Sequence, residues 1–292
     1  MNRPLLLLLI TGAAFGCNFP LAKLGVAAGV NPALWALLIC LGTGLVMLVV
    51  AALFETSPAS PGLFRYAAIS GLISNVIPLF LTFAAIPHIG SGLAAIMVAT
   101  SPVATALLSM LLKVRPPSVL GLAGIGLGLA GAVAIIIARN ASFTAGESLW
   151  LFLAASIPVF LGFGNVYRTM AWPKGAGPMR LASMVNLGAV PPLALIGYLW
   201  NGFDAAPLLD VPYIVAAQLI SATIMYLTFF RLQAVGGPTY LSQIGYVAAI
   251  VGVGIGVTLL GETYPAMVWA GVAVVAAGIA LSTVAQVRAA KG

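Results

Sequence analysis

This sequence predicts an all-α membrane protein, with ten transmembrane helices arranged as two inverted five-helix repeats around a central cavity. Three observations carry that expectation. Hydrophobic residues make up 62% of the 292 and charged residues only 6%, too few charges for a soluble surface, where they run to about 25%. Apolar runs of about 20 residues, each long enough to cross a hydrocarbon core as a helix, recur from end to end, without the alternating pattern of a transmembrane barrel. The chain also repeats itself at half its length: GVNPALWALLICLG at 29–42 is echoed by GAGPMRLASMVNLG at 175–188.

Breaks at proline, glycine and charge place helices at 4–24, 33–54, 65–86, 89–112, 118–138, 149–170, 179–200, 211–232, 236–260 and 265–286. The first imitates a cleaved signal or a lipoprotein site in MNRPLLLLLITGAAFGCNF. Phe15 is unfavourable two residues before Cys17, Lys23 follows, and the second half needs a counterpart, so a retained helix is expected. ETSPASPG at 55–62, ARNASFTAGES at 138–148 and NGFDAAPLLD at 201–210 read as loops. With the N-terminus in the cytoplasm, Arg3, Arg65, Lys113, Arg115, Arg168, Lys174, Arg180, Arg231, Arg288 and Lys291 fall inside, and only Lys23 and Arg139 outside. That asymmetry points to both termini being cytoplasmic. The net charge of +7 is dispersed at helix ends, so no nucleic-acid partner is expected. Trp35, Trp150, Trp172, Trp200 and Trp269 lie near helix ends and read as an interfacial belt.

The repeat keeps a nearly constant register. At an offset of 146, Gly29, Pro32, Ala36, Leu41 and Gly42 match Gly175, Pro178, Ala182, Leu187 and Gly188, and LTFAAIPHIG at 81–90 matches LTFFRLQAVG at 227–236. Asn18 matches Asn165 one residue out of step, and Gly121 and Gly128 match Gly271 and Gly278 at an offset of 150. Because five is odd, the second copy enters the membrane from the opposite side, so residues 1–140 and 141–292 form inverted repeats. Gly124 with Gly128 and Gly252 with Gly256 form GxxxG pairs, read as close packing inside a monomer. Cys17 and Cys40 fall within apolar runs, where neither a disulfide nor a metal site is expected, and no cofactor is implied.

Two five-helix repeats, the LTF segment leading into a short turn, and LLGETYPAMVWAGVAVVAAGIAL at 259–281, with Gly261, Glu262, Gly271 and Gly278 in step, resemble the EamA-type transporters of the drug/metabolite transporter superfamily. By general similarity rather than a diagnostic motif, the chain resembles the bacterial aromatic amino-acid exporters within that group. The resemblance implies a secondary transporter whose helices 3, 4, 8 and 9 line a central cavity. The first half departs from the pattern, with KVRPP at 113–117 where the second has Glu262. A capping or interfacial role is therefore expected for Glu262, rather than coupling.

Polar groups at mid-helix are costly in hydrocarbon unless they face a cavity or a partner. On that ground and the resemblance, Asn75, Pro78, Phe83, Ser101, Ser221, Tyr226, Gln243 and Tyr246 are expected at the substrate, with Asn18, Pro102, Pro158 and Asn165 as gating or hinge residues. No carboxylate lies at a helix centre, and the single His88 sits in a turn, so no proton carrier is evident. The expected activity is alternating-access export of amino acids, aromatic or otherwise amphipathic, and of similar small metabolites. Other drugs or phosphorylated sugars are the alternative; the latter call for a central Lys or Arg, whereas every basic residue lies toward a helix end. An intramembrane enzyme would need a catalytic cluster that the sequence does not offer. A purely structural scaffold is the remaining reading, and an inverted repeat is an extravagant way to build one.

Overall fold

The computed structural model describes residues 3–56, 61–112, 118–140, 144–201 and 204–291; inside its helices, the side chains at 3, 139–140, 201, 233–234, 236–243, 279, 282–283, 286–287 and 289–291 lie outside the description. The described elements are α1 (Arg3–Ala27), α2 (Pro32–Phe54), α3 (Leu63–Ile89), α4 (Ser91–Leu111), α5 (Val119–Asn140), α6 (Ala145–Met170), α7 (Pro178–Asn201), the short α8 (Ala206–Asp210), α9 (Pro212–Thr258) and α10 (Ala266–Lys291). Among the described residues, eight segments are long and apolar enough to cross a membrane, and Ile244–Thr258 and Ala266–Gly278 are shorter apolar helical stretches. The surface is correspondingly inverted: Leu53, Phe64, Leu199, Ile250 and many other large apolar side chains point outward, as a lipid-bathed exterior demands. The chain is a multi-pass membrane protein.

Proline shapes α3 and α4, two of the four helices that the resemblance marks as cavity-lining. Pro78 lacks an N–H, and its ring would press on the carbonyl four residues back, at Ser74. The helix answers with a π turn over Leu72–Val76, in which the Ile77 N–H reaches Leu72 rather than Ile73. In α4, Pro102 breaks the helix at Thr100, whose hydroxyl donates to the Met97 carbonyl at 2.7 Å.

The sequence separates helices at 211–232 and 236–260, whereas the helical assignment runs unbroken through the 47 residues of α9. A straight helix of that length would extend roughly 70 Å. Its contacts exclude that shape. Gln218 and Ser221 meet Asn18 and Ala14 on α1, while Val247 and Val251 lie against Gly12 and Gly16 of the same helix. Leu232 and Ile244 cluster together with Leu8. The chain thus runs antiparallel to α1 as far as Leu232, and parallel to it from Ile244 onward. Helical backbone also extends over Ala206–Asp210, within the stretch read as a loop.

One face of the bundle carries Glu55, at the end of α2; the other carries Glu262, between α9 and α10. Glu55 accepts hydrogen bonds from the Met179 and Arg180 N–H groups at 2.7 and 3.0 Å, and so caps the start of α7. Two of the seams between the first and second halves of the chain are α2 to α7 and α5 to α10. The α2 to α7 seam pairs Thr43 with Asn186, and the Gly44 carbonyl with the Ser183 hydroxyl at 2.8 Å. In the α5 to α10 seam, Gly128 lies against Gly278 and Gly131 against Gly271 and Val275. The GxxxG glycines thus pack inside the chain.

Candidate functional site

Polar side chains inside the bundle fall at three depths. At the middle, the π turn of α3 presents Asn75, whose Nδ2 donates to Asn186 Oδ1 on α7 at 3.1 Å; the Thr43 hydroxyl on α2 approaches the same oxygen at 3.3 Å. Asn186 anchors itself by donating to the Ala182 carbonyl, and both asparagines are buried. The Cys40 thiol on α2 also interacts with Asn75. Toward the Glu262 face, Gln218 on α9 donates to Asn18 Oδ1 at 2.8 Å and accepts from the Trp35 indole at 3.3 Å. Toward the Glu55 face, Arg168 in the last turn of α6 donates to Asn165 Oδ1, and Asn165 donates to the Thr105 hydroxyl on α4 at 3.1 Å. What these groups offer is hydrogen-bond donors and acceptors held in place by the packing of the helices.

The structure brings some of the expected site residues together and leaves others apart. Asn18, Asn75 and Asn165 each belong to one of these clusters, and buried Tyr226 lies within electrostatic reach of Arg168 and Cys40. Ser221 instead donates to the Ala14 carbonyl at 2.8 Å, which makes it a helix-to-helix contact. Phe83 is buried in the core, Tyr246 packs on its edge, and Pro78 and Pro158 are buried within their helices. Ser101 and Pro102 are half-buried at the break in α4. The Gln243 side chain lies outside the described residues, as do those of Lys113 and Arg115.

Sequence reasoning missed Asn186 and Gln218. Both are polar residues within apolar helices, the same signal that singles out Asn75, Asn18 and Asn165. One assignment is corrected. Trp35 is no belt residue: it is fully buried, with its ring against Gly25 and its indole on Gln218. Arg168 lies at a helix end, as expected, but its side chain turns into the bundle and is 8% exposed.

The Glu262 face is closed by a carboxylate. Glu262 accepts from the N–H groups of Ser91 and Gly92 at 2.6 and 2.9 Å, from the Ser91 hydroxyl and the Lys23 ammonium at 2.7 Å each, and from the Tyr264 hydroxyl. It therefore caps α4 and ties it to α1, where an anion also complements the helix dipole. Burial by itself would raise the carboxyl, but the bonds from Lys23, Tyr264, Gly92 and Ser91 outweigh it and hold the group at about 2. Beside it opens a cleft of about 230 Å³ lined by Lys23, His88, Glu147, Glu262 and Tyr264. His88 stacks on Trp150 with ring centroids 5.0 Å apart.

The sequence model of the EamA-like transporter family matches residues 2–137, which span α1 to α5. The first half of the chain is EamA-like. The family is described as one of transporters. The EamA-like half supplies Asn75 and Asn18, while their partners Asn186 and Gln218 come from beyond it. Among curated proteins none matches the chain. A solved structure titled only "Crystal structure of protein" superposes with a TM-score of 0.63, covering 94% of this chain and 97% of its own at 19% identity. At that identity the likeness is one of fold alone.

Proposed function

We propose that the chain is a bacterial inner-membrane secondary transporter that exports amino acids, aromatic or otherwise amphipathic, and similar small metabolites. It works as a monomer of ten crossings with both termini cytoplasmic, so that the Glu55 face is the inner one. Residues 1–140 and 141–292 are inverted repeats that rock against each other in alternating access. The observation that carries this reading is the Asn75–Asn186 hydrogen bond, which crosses between the halves at mid-depth. Such a bond is worth only about 0.6–2 kcal/mol in a membrane, weak enough to be exchanged for a bond to substrate. Packing supports the repeat as well: Gly128 and Gly278, matched in sequence, lie against each other, as residues beside a twofold axis must.

Proteoliposomes loaded with labelled phenylalanine, tryptophan or alanine test the proposal, with and without a pH gradient. Flux of at least one is expected, and no movement under any gradient would overturn the substrate assignment. Asn186→Leu leaves the Asn75 amide without its acceptor and should slow flux about tenfold, equivalent to about 1.4 kcal/mol on the barrier. Asn75→Ala and Gln243→Ala should also impair flux in protein that still folds. Undiminished flux in all three would remove the mid-depth cluster from the transport path.

A further inference from the structure

We infer that Arg168, with the hydroxyls of Tyr66, Ser70 and Ser74, forms a binding site for the carboxylate of the transported solute. This rests on the transport reading above and adds what the solute must carry. Arg168 is more than nine-tenths buried, and its Nε has no hydrogen-bond partner. Asn165 holds one terminal nitrogen through a neutral carbonyl oxygen, which orients the guanidinium without neutralising it. The guanidinium carbon lies 5.4 Å from the centre of the Phe229 ring, and its electrostatic neighbours are the Tyr66 and Tyr226 hydroxyls. Among the described residues no carboxylate comes within 4.0 Å of it. The ring face and the negative end of α6 offset part of the burial. Neither supplies the counter-ion that a buried cation needs.

The groups across the seam are donors. Tyr66, Ser70 and Ser74 recur every fourth residue on one face of α3, and their buried hydroxyl oxygens also lack hydrogen-bond partners. Tyr66 stacks on Tyr167 of α6 at 5.9 Å, and Gly164, one turn before Arg168, faces Ser74. Apart from an interaction between Tyr66 and Ser70 within α3, these four polar groups have no partner in the α3 to α6 seam, where each lost bond costs about 1–3 kcal/mol. A carboxylate answers all of them: it has two oxygens with about four acceptor positions, and takes N⁺–H and O–H donors together. One uncompensated positive charge matches one negative charge, as in the carboxylate of an amino acid, whereas a phosphate dianion would remain unbalanced. A Cβ on Gly164 would stand 2.0 Å from the Ser74 oxygen, so the seam must part to admit a solute. The hydroxyl row then leads from Arg168 to Asn75 at mid-depth.

Purified protein is tested by thermal stabilisation with benzoate, against benzamide and against potassium chloride at equal ionic strength. Flux of phenylalanine and of phenethylamine, which lacks the carboxylate, is measured alongside. Benzoate alone should raise the apparent melting temperature of the native protein. Arg168→Gln should abolish that shift and lower the ratio of phenylalanine to phenethylamine flux at least about tenfold. Arg168→Lys, which keeps the charge without the guanidinium fork, should retain part of both, and it stands in if the glutamine variant does not fold. An absent benzoate shift in native protein, an unchanged one in both variants, or an unchanged flux ratio overturns the site. Arg168-dependent benzoate binding without amino-acid flux would overturn the transport assignment and leave the site standing; phenylalanine flux with indifference to benzoate would do the reverse.

Discussion

Gly278→Ala is expected to destabilise the protein by about 3 kcal/mol, lowering the apparent melting temperature by on the order of 10 °C. The reason is the composition of the α5 to α10 seam. A Cβ on Gly278 would lie 2.4 Å from the Gly128 backbone nitrogen and 2.7 Å from the Gly124 carbonyl oxygen. Those atoms belong to helix backbone and cannot swing aside as a side chain would, so the two helices must separate and lose the contacts around Ile135 and Val275. Gly126, on the same α5, provides the contrast, because a Cβ there meets nothing within 4 Å. Gly126→Ala should be neutral or stabilise by up to about 1 kcal/mol, since alanine is the better helix former. Melting the two variants side by side in detergent decides the matter. A Gly278 variant as stable as the Gly126 one would mean that these helices do not touch backbone to backbone.

Glu262→Gln is expected to weaken the Glu262 face by about 2 kcal/mol near neutral pH, a figure reduced from the full carboxyl shift because the cleft admits water. The amide keeps one acceptor, but its NH₂ group turns donors toward the Ser91 and Gly92 N–H groups and the Lys23 ammonium. The pH dependence follows from a folded value lowered from 4.5 to about 2. A depressed carboxyl contributes stability that is fully present above the unfolded value and is lost as pH falls through the folded one. The difference in melting temperature between native protein and variant should therefore hold from pH 7 to about pH 5, narrow between about 4.5 and 2, and close below that. A gap independent of pH would show that the carboxylate charge does not hold α4 to α1.

Much of the fold is legible in the residues alone. A run such as ALWALLICLGTGLVMLVVAALF has one stable fate in hydrocarbon, because only a helix satisfies its backbone without help from neighbours. Helix positions and breaks at proline and glycine therefore follow from composition and spacing, within a few residues. The site is less legible. A mid-helix asparagine announces that it needs a partner without saying which: Asn75 finds Asn186, whereas Ser221, its counterpart in the repeat, finds only the Ala14 carbonyl. Helix-end residues mislead in another way. Trp35 and Arg168 sit near ends, where belts and topology charges are common, and both point inward because of the helices packed around them.

The sequence by itself determined that this chain lives in a membrane, where most of its helices begin and end, and that its second half echoes its first. Those properties depend on local chemistry: apolar length, turn residues and register. Tertiary structure alone decided that Asn75 meets Asn186, that Gly128 meets Gly278, and that Arg168 lies buried beside Tyr66 with, among the described residues, no carboxylate within ion-pair distance. Each depends on the rotation of one helix about its axis relative to another. That angle is set by side-chain packing between segments far apart in the chain, and no single segment carries it.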